Sequence, residues 1–588
     1  MASSSNTRCT RARGGYPAAR AGALLLGLLA LAAPAAARDP ASLEDLTIAA
    51  SRVPDWHALD HLPLDTSGWT RVNVPCNGGN PSAVRDAISA AGPNTVLLLP
   101  ANCRYVFDSA LGLSKSRLVL RGASRSTSIL EFTQTDRDMI LMIVSGSPFS
   151  DARAWTSGYT LGSDVIGVAH TSGLTVGRWV RLKAASEPDW HSAARNEYVA
   201  KLLCVGRTGG SACSSLATNQ VRLDRPLPAL YDQGNQTLEP ATGVYLEHTG
   251  IENLRIQHAT PAIVEKYRPF VRMDECHECW ITDSSFGDGG NSHIITRDVV
   301  RSVFRGNDFG SNQCSEDGVT CNWNKGAIYF NPGNADCVFE NNTLSQSPSG
   351  PLAQGGAGTV IAYNFMRSGP AVTCERHVFL HGQGVTATLA EGNDVDCMMQ
   401  WDSFRDGQGY YNTFYRNRLR GAGNPSGGFQ RGRLGGEDTG SHIHRFIQVI
   451  GNHANEFMGS PQLTGRAIDE SRDATHRHED TWVSHNVARS TILFENSGAQ
   501  VRTTQHENHV RSSPSPGWSN VDFPASLYRS EAPAWWCQES GPFPNIGAPS
   551  DRVGSYSRLP AQIRLEGGTC TPLDDVPLQP PQAPILLE

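Results

Sequence analysis

The feature that most constrains this chain is a short phrase repeated through its middle: an apolar strand, a turn position that is usually Asn, then an outward residue and another apolar one. Clear copies are Val303-Phe304-Arg305-Gly306-Asn307-Asp308-Phe309, Val338-Phe339-Glu340-Asn341-Asn342-Thr343-Leu344, Val360-Ile361-Ala362-Tyr363-Asn364-Phe365-Met366, Leu389-Ala390-Glu391-Gly392-Asn393-Asp394-Val395 and Thr413-Phe414-Tyr415-Arg416-Asn417-Arg418-Leu419. Weaker copies surround Ser284, Asn452 and Asn486, and the steps between successive turn positions are 23, 35, 22, 29, 24, 35 and 34 residues. A basic unit of about 22 to 24 residues therefore carries insertions at one point, the signature of a solenoid. One unit cannot bury its own apolar face, whereas stacked units share a continuous core. The pattern predicts an all-β parallel β-helix in which an Asn at the same corner of every coil bonds to its neighbours' backbones.

The ends and the cysteines point to export. Residues 1–37 begin with Arg8, Arg11, Arg13 and Arg20, continue through the apolar run Ala23 to Leu31, and reach the small-residue pattern Ala35-Ala36-Ala37. This reads as a signal peptide, because the apolar run is too short to span a bilayer. Cleavage near Ala37 would release a secreted or periplasmic chain. Of the 14 Cys, Cys9 lies in that leader, and the odd remainder leaves at least one thiol free or paired between chains. Proximity suggests Cys76 with Cys103, Cys204 with Cys213, Cys314 with Cys321, Cys374 with Cys397, and Cys537 with Cys570. The sequence Cys276-His277-Glu278-Cys279 resembles half of a zinc site, but no second CxxC follows, and a structural role is expected. Net charge is −7 with no clustered basic run, which argues against nucleic acid as a partner.

Before the repeats, Asn80 and Pro81 signal a helix start, with Val84, Ala87, Ile88 and Ala91 on one face and Gly92 as the stop. Such a helix would cap the open end of the first coil. Residues 145–243 fit the repeat poorly and read as strands, Arg178 to Lys183 among them, with a long loop near Cys204 to Cys213. The division expected is a leader over 1–37, an arm over 38–67, the β-helix over 68–510 and a Pro-rich tail over 511–588, in which Trp535 and Trp536 cover the last coil.

The segments Ala83-Val84-Arg85-Asp86-Ala87-Ile88, Thr95 to Pro100 and Leu118 to Ala123 resemble the opening of the pectate lyase superfamily of right-handed parallel β-helices. His381-Gly382, Glu391-Gly392-Asn393, Asn412 to Asn417 and the tail from Ser526 to Trp536 resemble bacterial β-helix proteins of mostly unassigned activity. The resemblance covers roughly residues 68 to 545. It implies a polysaccharide partner and cleavage by β-elimination or by hydrolysis. Elimination of a uronate polymer needs a base and a cation to stabilise the enolate; hydrolysis needs two carboxyls. A non-catalytic carbohydrate-binding protein on the same scaffold is the competing class.

Alternation along the strands proposes which residues share an outward face. Inward Phe304, Phe339, Ile361, Ala390 and Phe414 leave Arg305, Glu340, Ala362, Glu391 and Tyr415 as one outward column, with Glu340 and Glu391 facing solvent. Inward Val378, Leu380, Met399 and Trp401 leave His377, Phe379, His381, Gln400 and Asp402 outward on another sheet. The catalytic candidates are Lys325 and His381 as bases, Asp402 to fix geometry and Arg405 to neutralise a uronate. Tyr329, His377, Glu391, Gln400, Arg431, His442 and His444 are candidate substrate-binding residues, the last three near the Gly-rich insertion Gly421 to Gly440. Each has a structural alternative: a solvated Lys, a hydrogen-bonded His, an Asp bonded to backbone, an Arg in a surface ion pair. A divalent cation such as calcium stays open as a cofactor, and the chain is expected to be a monomer.

Overall fold

The computed structural model describes residues 56–59, 65–133, 142–160, 162–184, 197–228, 236–259, 269–288, 292–311, 326–347, 349–368, 376–381, 384–402, 411–420, 434–437, 443–445, 447–450, 452–454, 466–469, 477–479, 481–484, 487–488, 491–493, 503–506, 509–510, 526–529, 531–540, 543 and 558–571. Three long parallel sheets wind through them. Sheet 1 opens with Thr70–Asn73 and Thr95–Leu99, sheet 2 with Cys103–Phe107 and Ser128–Phe132, and sheet 3 with Leu111–Leu113 and Met142–Ser145. Successive coils add one strand to each sheet, so the fold is a parallel β-helix. In sheet 1 the residues Ile281, Phe304, Phe339, Ile361, Ala390, Phe414 and Val449 are consecutive register partners. All seven are fully buried in one apolar cluster that runs up the bore of the helix. Burying each large side chain contributes about 1.5–3 kcal/mol.

The corner that follows sheet 1 explains why Asn recurs. Asp283, Gly306, Asn341, Tyr363, Gly392 and Arg416 each turn the chain with φ between 49° and 71°, a left-handed conformation that costs a non-glycine residue about 1–2 kcal/mol. The next residue in each coil offsets that cost. Asn364 Oδ1 accepts the Asn342 backbone N–H at 2.9 Å and its Nδ2–H at 3.0 Å, while Asn364 Nδ2 donates to Phe339 O at 2.9 Å. The same bonds recur at Asn393, Asn417 and Asn452. Asn486 lies outside the described residues.

At the N-terminal end, the helix Pro81–Ala90 forms where the cap residue predicted it, with Asn80 Oδ1 accepting Ser82 N–H at 2.9 Å. Val84 and Ile88 join the apolar cluster of the bore. The misfit region folds separately: Arg153–Ser157, Val165–Val168, Trp179–Lys183, Glu197–Val205, Gln220–Leu223 and Thr237–Pro240 close into an antiparallel barrel. Its core shares one cluster with Val300, Ala335, Ala357, Ala387 and Tyr411. Val300 ends a strand of sheet 3 and the other four lie between the sheet 3 and sheet 1 strands of their coils, so the barrel packs along that corner of the β-helix.

Cys76–Cys103, Cys204–Cys213 and Cys537–Cys570 are disulfides, as spacing suggested, and Cys276–Cys279 is a fourth. Cys397 is also disulfide-bonded; Cys374, Cys314 and Cys321 lie outside the described residues. Cys337 is a buried free thiol, pushed up to about 12 chiefly by desolvation.

The tail departs from expectation. Instead of covering the last coil, it lies across the middle of sheet 1. Trp535, Trp536, Tyr528 and Phe543 surround Tyr363 with ring centroids 5.9, 5.8, 6.3 and 5.3 Å away. The short helix Pro560–Leu565 sends Arg564 to Asn341 O at 2.6 Å and Asp308 Oδ1 at 3.0 Å. Among the described residues no helix is long and apolar enough to cross a membrane.

Candidate functional site

Two columns run side by side on the outer face of sheet 3. The first passes through Arg272, Ile295, Tyr329, Leu352, Phe379 and Gln400. The second passes through Asp274, Arg297, Asn331, Gln354 and His381, then the strand positions Asp402 and Glu437. Tyr329, Leu352 and Phe379 pack on one another and are nearly closed to solvent, at 6–7% exposure. From Arg297 to His381 the second column stays partly open. A lane thus runs along sheet 3, bordered by an aromatic row on one side and by the barrel-covered corner on the other.

Phe379 organises one end of this lane. The His381 ring lies 4.5 Å from the Phe379 ring, and the Arg376 guanidinium stands 4.5 Å over the same ring. Arg376 also donates to Gln400 Oε1. An imidazole and a guanidinium are therefore gathered on one aromatic support.

The other end meets the barrel in a buried charge network. Arg181 donates to Asp298 Oδ2 at 2.8 Å and to Glu239 Oε2 at 2.7 Å, and Lys183 donates to Glu239 Oε1 at 2.9 Å. Gly333, at φ 88°, makes room for Asp298, because a Cβ there would stand 2.0 Å from Asp298 Oδ1. Asp298 Oδ1, Asp274 Oδ1 and Glu197 Oε2 are buried without a hydrogen-bond partner. Burial pushes Asp298 up to about 8 even with Arg181 beside it. Glu275 rises to about 7, through burial first and the neighbouring Asp274 second.

Several expected site residues sit elsewhere. His377 was expected to face outward, but a register irregularity between Arg376 and Val378 turns it in, and it is fully buried. Its Nε2 lies 3.2 Å from Ser347 O and its Nδ1 3.3 Å from Asp396 Oδ1. The ligand atoms of His377, Asp396 and Cys397 lie within 4.8 Å of one another, but Cys397 is committed to a disulfide and His377 Nε2 to a carbonyl, so the trio does not fit a divalent cation. Glu340 and Glu391 keep their predicted register yet are buried under the tail instead of facing solvent. Gln400 and Tyr329 occupy the predicted face but are buried there, bonded to Arg376 and Gln354. Lys325, Arg405, Arg431 and His442 lie outside the described residues. Of Asp402 and His444 only the strand position is described: Asp402 beside His381 and Glu437 in register, His444 paired with His478. Sequence reasoning passed over Arg272, Arg297, Gln354 and Arg376, although the alternation in Val271 to Asp274 and Ile294 to Arg297 would have placed the first two on this face.

No protein-family model matches the chain, and no curated protein matches it. Solved structures similar to it include the tailspike gp61 of Pseudomonas phage phi297, at 12% identity and TM-score 0.46 over 74% of this chain and 68% of that one. The tailspike gp49 of Pseudomonas phage LKA1 gives 11% identity and TM-score 0.38 over 74% of each chain. The catalytic unit of a GH87 alpha-1,3-glucanase from Streptomyces thermodiastaticus gives 11% and 0.34 over 76% and 70%. At these identities the likeness is one of architecture.

Proposed function

We propose that this protein is an exported enzyme that degrades an acidic polysaccharide laid along the lane of sheet 3, by β-elimination at a uronate. The observation that carries the reading is the pairing of His381 and Arg376 on the Phe379 ring. Elimination asks for a general base, a role that an imidazole nitrogen can fill. It also asks for fixed positive charge where the enolate develops, which a guanidinium supplies. Asp402, one coil on from His381, is assigned to fixing the local geometry, and Lys325 and Arg405 remain candidates for the same chemistry. The resemblance to the pectate lyase superfamily supports the same reaction class.

A second reading rests on Asp402 and Glu437, which are register partners on adjacent strands. Hydrolysis needs two carboxyls, and these two strand positions on adjacent coils are the candidates for them. Purified protein incubated with a polysaccharide panel separates the two. Elimination gives new ultraviolet absorbance together with new reducing ends; hydrolysis gives reducing ends alone; unchanged polymer length sinks both and leaves a binding protein. Export after cleavage near Ala37 and a monomeric state belong to the same proposal, and the intact mass and sedimentation of the mature chain test them.

A further inference from the structure

Arg297 is unusual among the arginines of this face. Its side chain is 45% exposed, and its nearest charged partners, Asp298 Oδ2 at 3.6 Å and Glu197 Oε2 at 4.0 Å, stand beyond hydrogen-bond reach. The guanidinium thus stands near both carboxyls while its planar fork makes no hydrogen bond to any described residue. Arg272, on the preceding coil, is 44% exposed and bonds Asp274 through Nε alone, so its terminal nitrogens make no hydrogen bond to any described residue. Two such forks lie on adjacent coils beside the same buried Asp274, and a guanidinium fork matches a carboxylate in two parallel hydrogen bonds.

We propose that Arg272 and Arg297 form a distal anion subsite of the lane, holding the carboxylate of a uronate remote from the reacting one. This rests on the reading of sheet 3 as the polymer-binding face. Three coil steps separate Arg297 from His381, through Asn331 and Gln354, or about 14 Å at the strand spacing. An anion held at Arg297 therefore belongs to another sugar of the same chain. The underlying network does not cancel the site. Glu197 and Glu239 offset Arg181 and Lys183, and burial raises Asp298, Glu275 and Asp274, so the carboxyls beside the two arginines carry less than full negative charge.

The test is binding, measured by calorimetry, of a long uronate homopolymer and of its carboxyl-reduced counterpart to the native chain and to an Arg272→Gln, Arg297→Gln double variant. The uronate polymer should bind the variant about tenfold more weakly, a change of about 1.4 kcal/mol, while the reduced polymer binds both proteins alike. Equal uronate binding by both proteins, an equal loss on both polymers, or no uronate binding by the native chain overturns the subsite. Because the substitutions touch the barrel junction, the single Arg297→Lys variant is the second measure: it keeps the charge but not the fork, and should recover only part of the affinity. Uronate binding that needs these arginines, without any unsaturated product, would sink the elimination reading and leave the subsite standing.

Discussion

The outward column of sheet 1 and the open lane of sheet 3 obey the same rule and meet opposite fates. Both arise because side chains alternate along strands and stack in register between coils. Arg305, Glu340, Ala362, Glu391 and Tyr415 stack on sheet 1 as Arg297, Asn331, Gln354 and His381 do on sheet 3. On sheet 1 the tail then lies down over the column. Burial alone would raise Glu340, but Arg305 and Arg529 outweigh it and hold the carboxyl below its ordinary value. Arg529 grips both Glu340 oxygens at 2.7 and 2.8 Å. Glu391, with the Leu527 N–H at 2.8 Å and the Tyr363 hydroxyl instead of a close cation, is raised by burial. A stacked column is thus raw material: a covering segment that supplies matching donors makes it structural, and a column without such a cover stays partly open from Arg297 to His381.

The sharpest way to break this contrast is Glu340→Gln. Removing one partner of a buried ion network leaves Arg305 and Arg529 uncompensated, which should cost about 3–5 kcal/mol, read as a lowered denaturant midpoint. A change below about 1 kcal/mol would mean that the tail does not clamp sheet 1. The opposite pattern is expected at His381→Ala: turnover on a uronate polymer falling roughly a hundredfold or more, with the unfolding midpoint unmoved. Loss of stability without loss of turnover would place His381 with Glu340.

Asn364→Ala probes the frame that both columns share. It leaves the Asn342 N–H unmet and takes a second donor from the Phe339 carbonyl inside the helix, and a stability loss of about 1–3 kcal/mol is expected. The last expected effect concerns the barrel end of the lane and is read as a slope against pH. Asp298 has a folded value near 8 against an ordinary carboxyl near 3.9. The native state therefore holds a proton that the unfolded chain releases, so this contribution to stability is fully present below about pH 4 and fades as pH rises toward 8. Asp298→Asn should flatten stability across that window in pH-dependent unfolding; an unchanged slope would assign the trend to other groups.

Much of the frame was legible because it is local and periodic. The Asn spacing announces the corners, and apolar alternation places Phe304, Phe339 and Phe414 inside. His381 and Asp402 were placed on neighbouring coils by the same count. The count failed where it met an irregularity: one register shift at Arg376 to Val378 turned His377 from the lane into the wall. It was silent on the barrel, whose short antiparallel strands carry no repeat for a period to reveal.

The sequence by itself determined the coil, its corner ladder and the membership of each column, because alternation and backbone hydrogen bonding act between residues at fixed separations. Only the tertiary structure decided which columns are covered. Leu527, Tyr528 and Arg529 reach Glu340 and Glu391 across 136 to 189 residues, and Arg181 reaches Asp298 across 117. Contacts at such separations follow from how whole segments pack and which buried charges they can neutralise, and no local pattern in either partner encodes that choice.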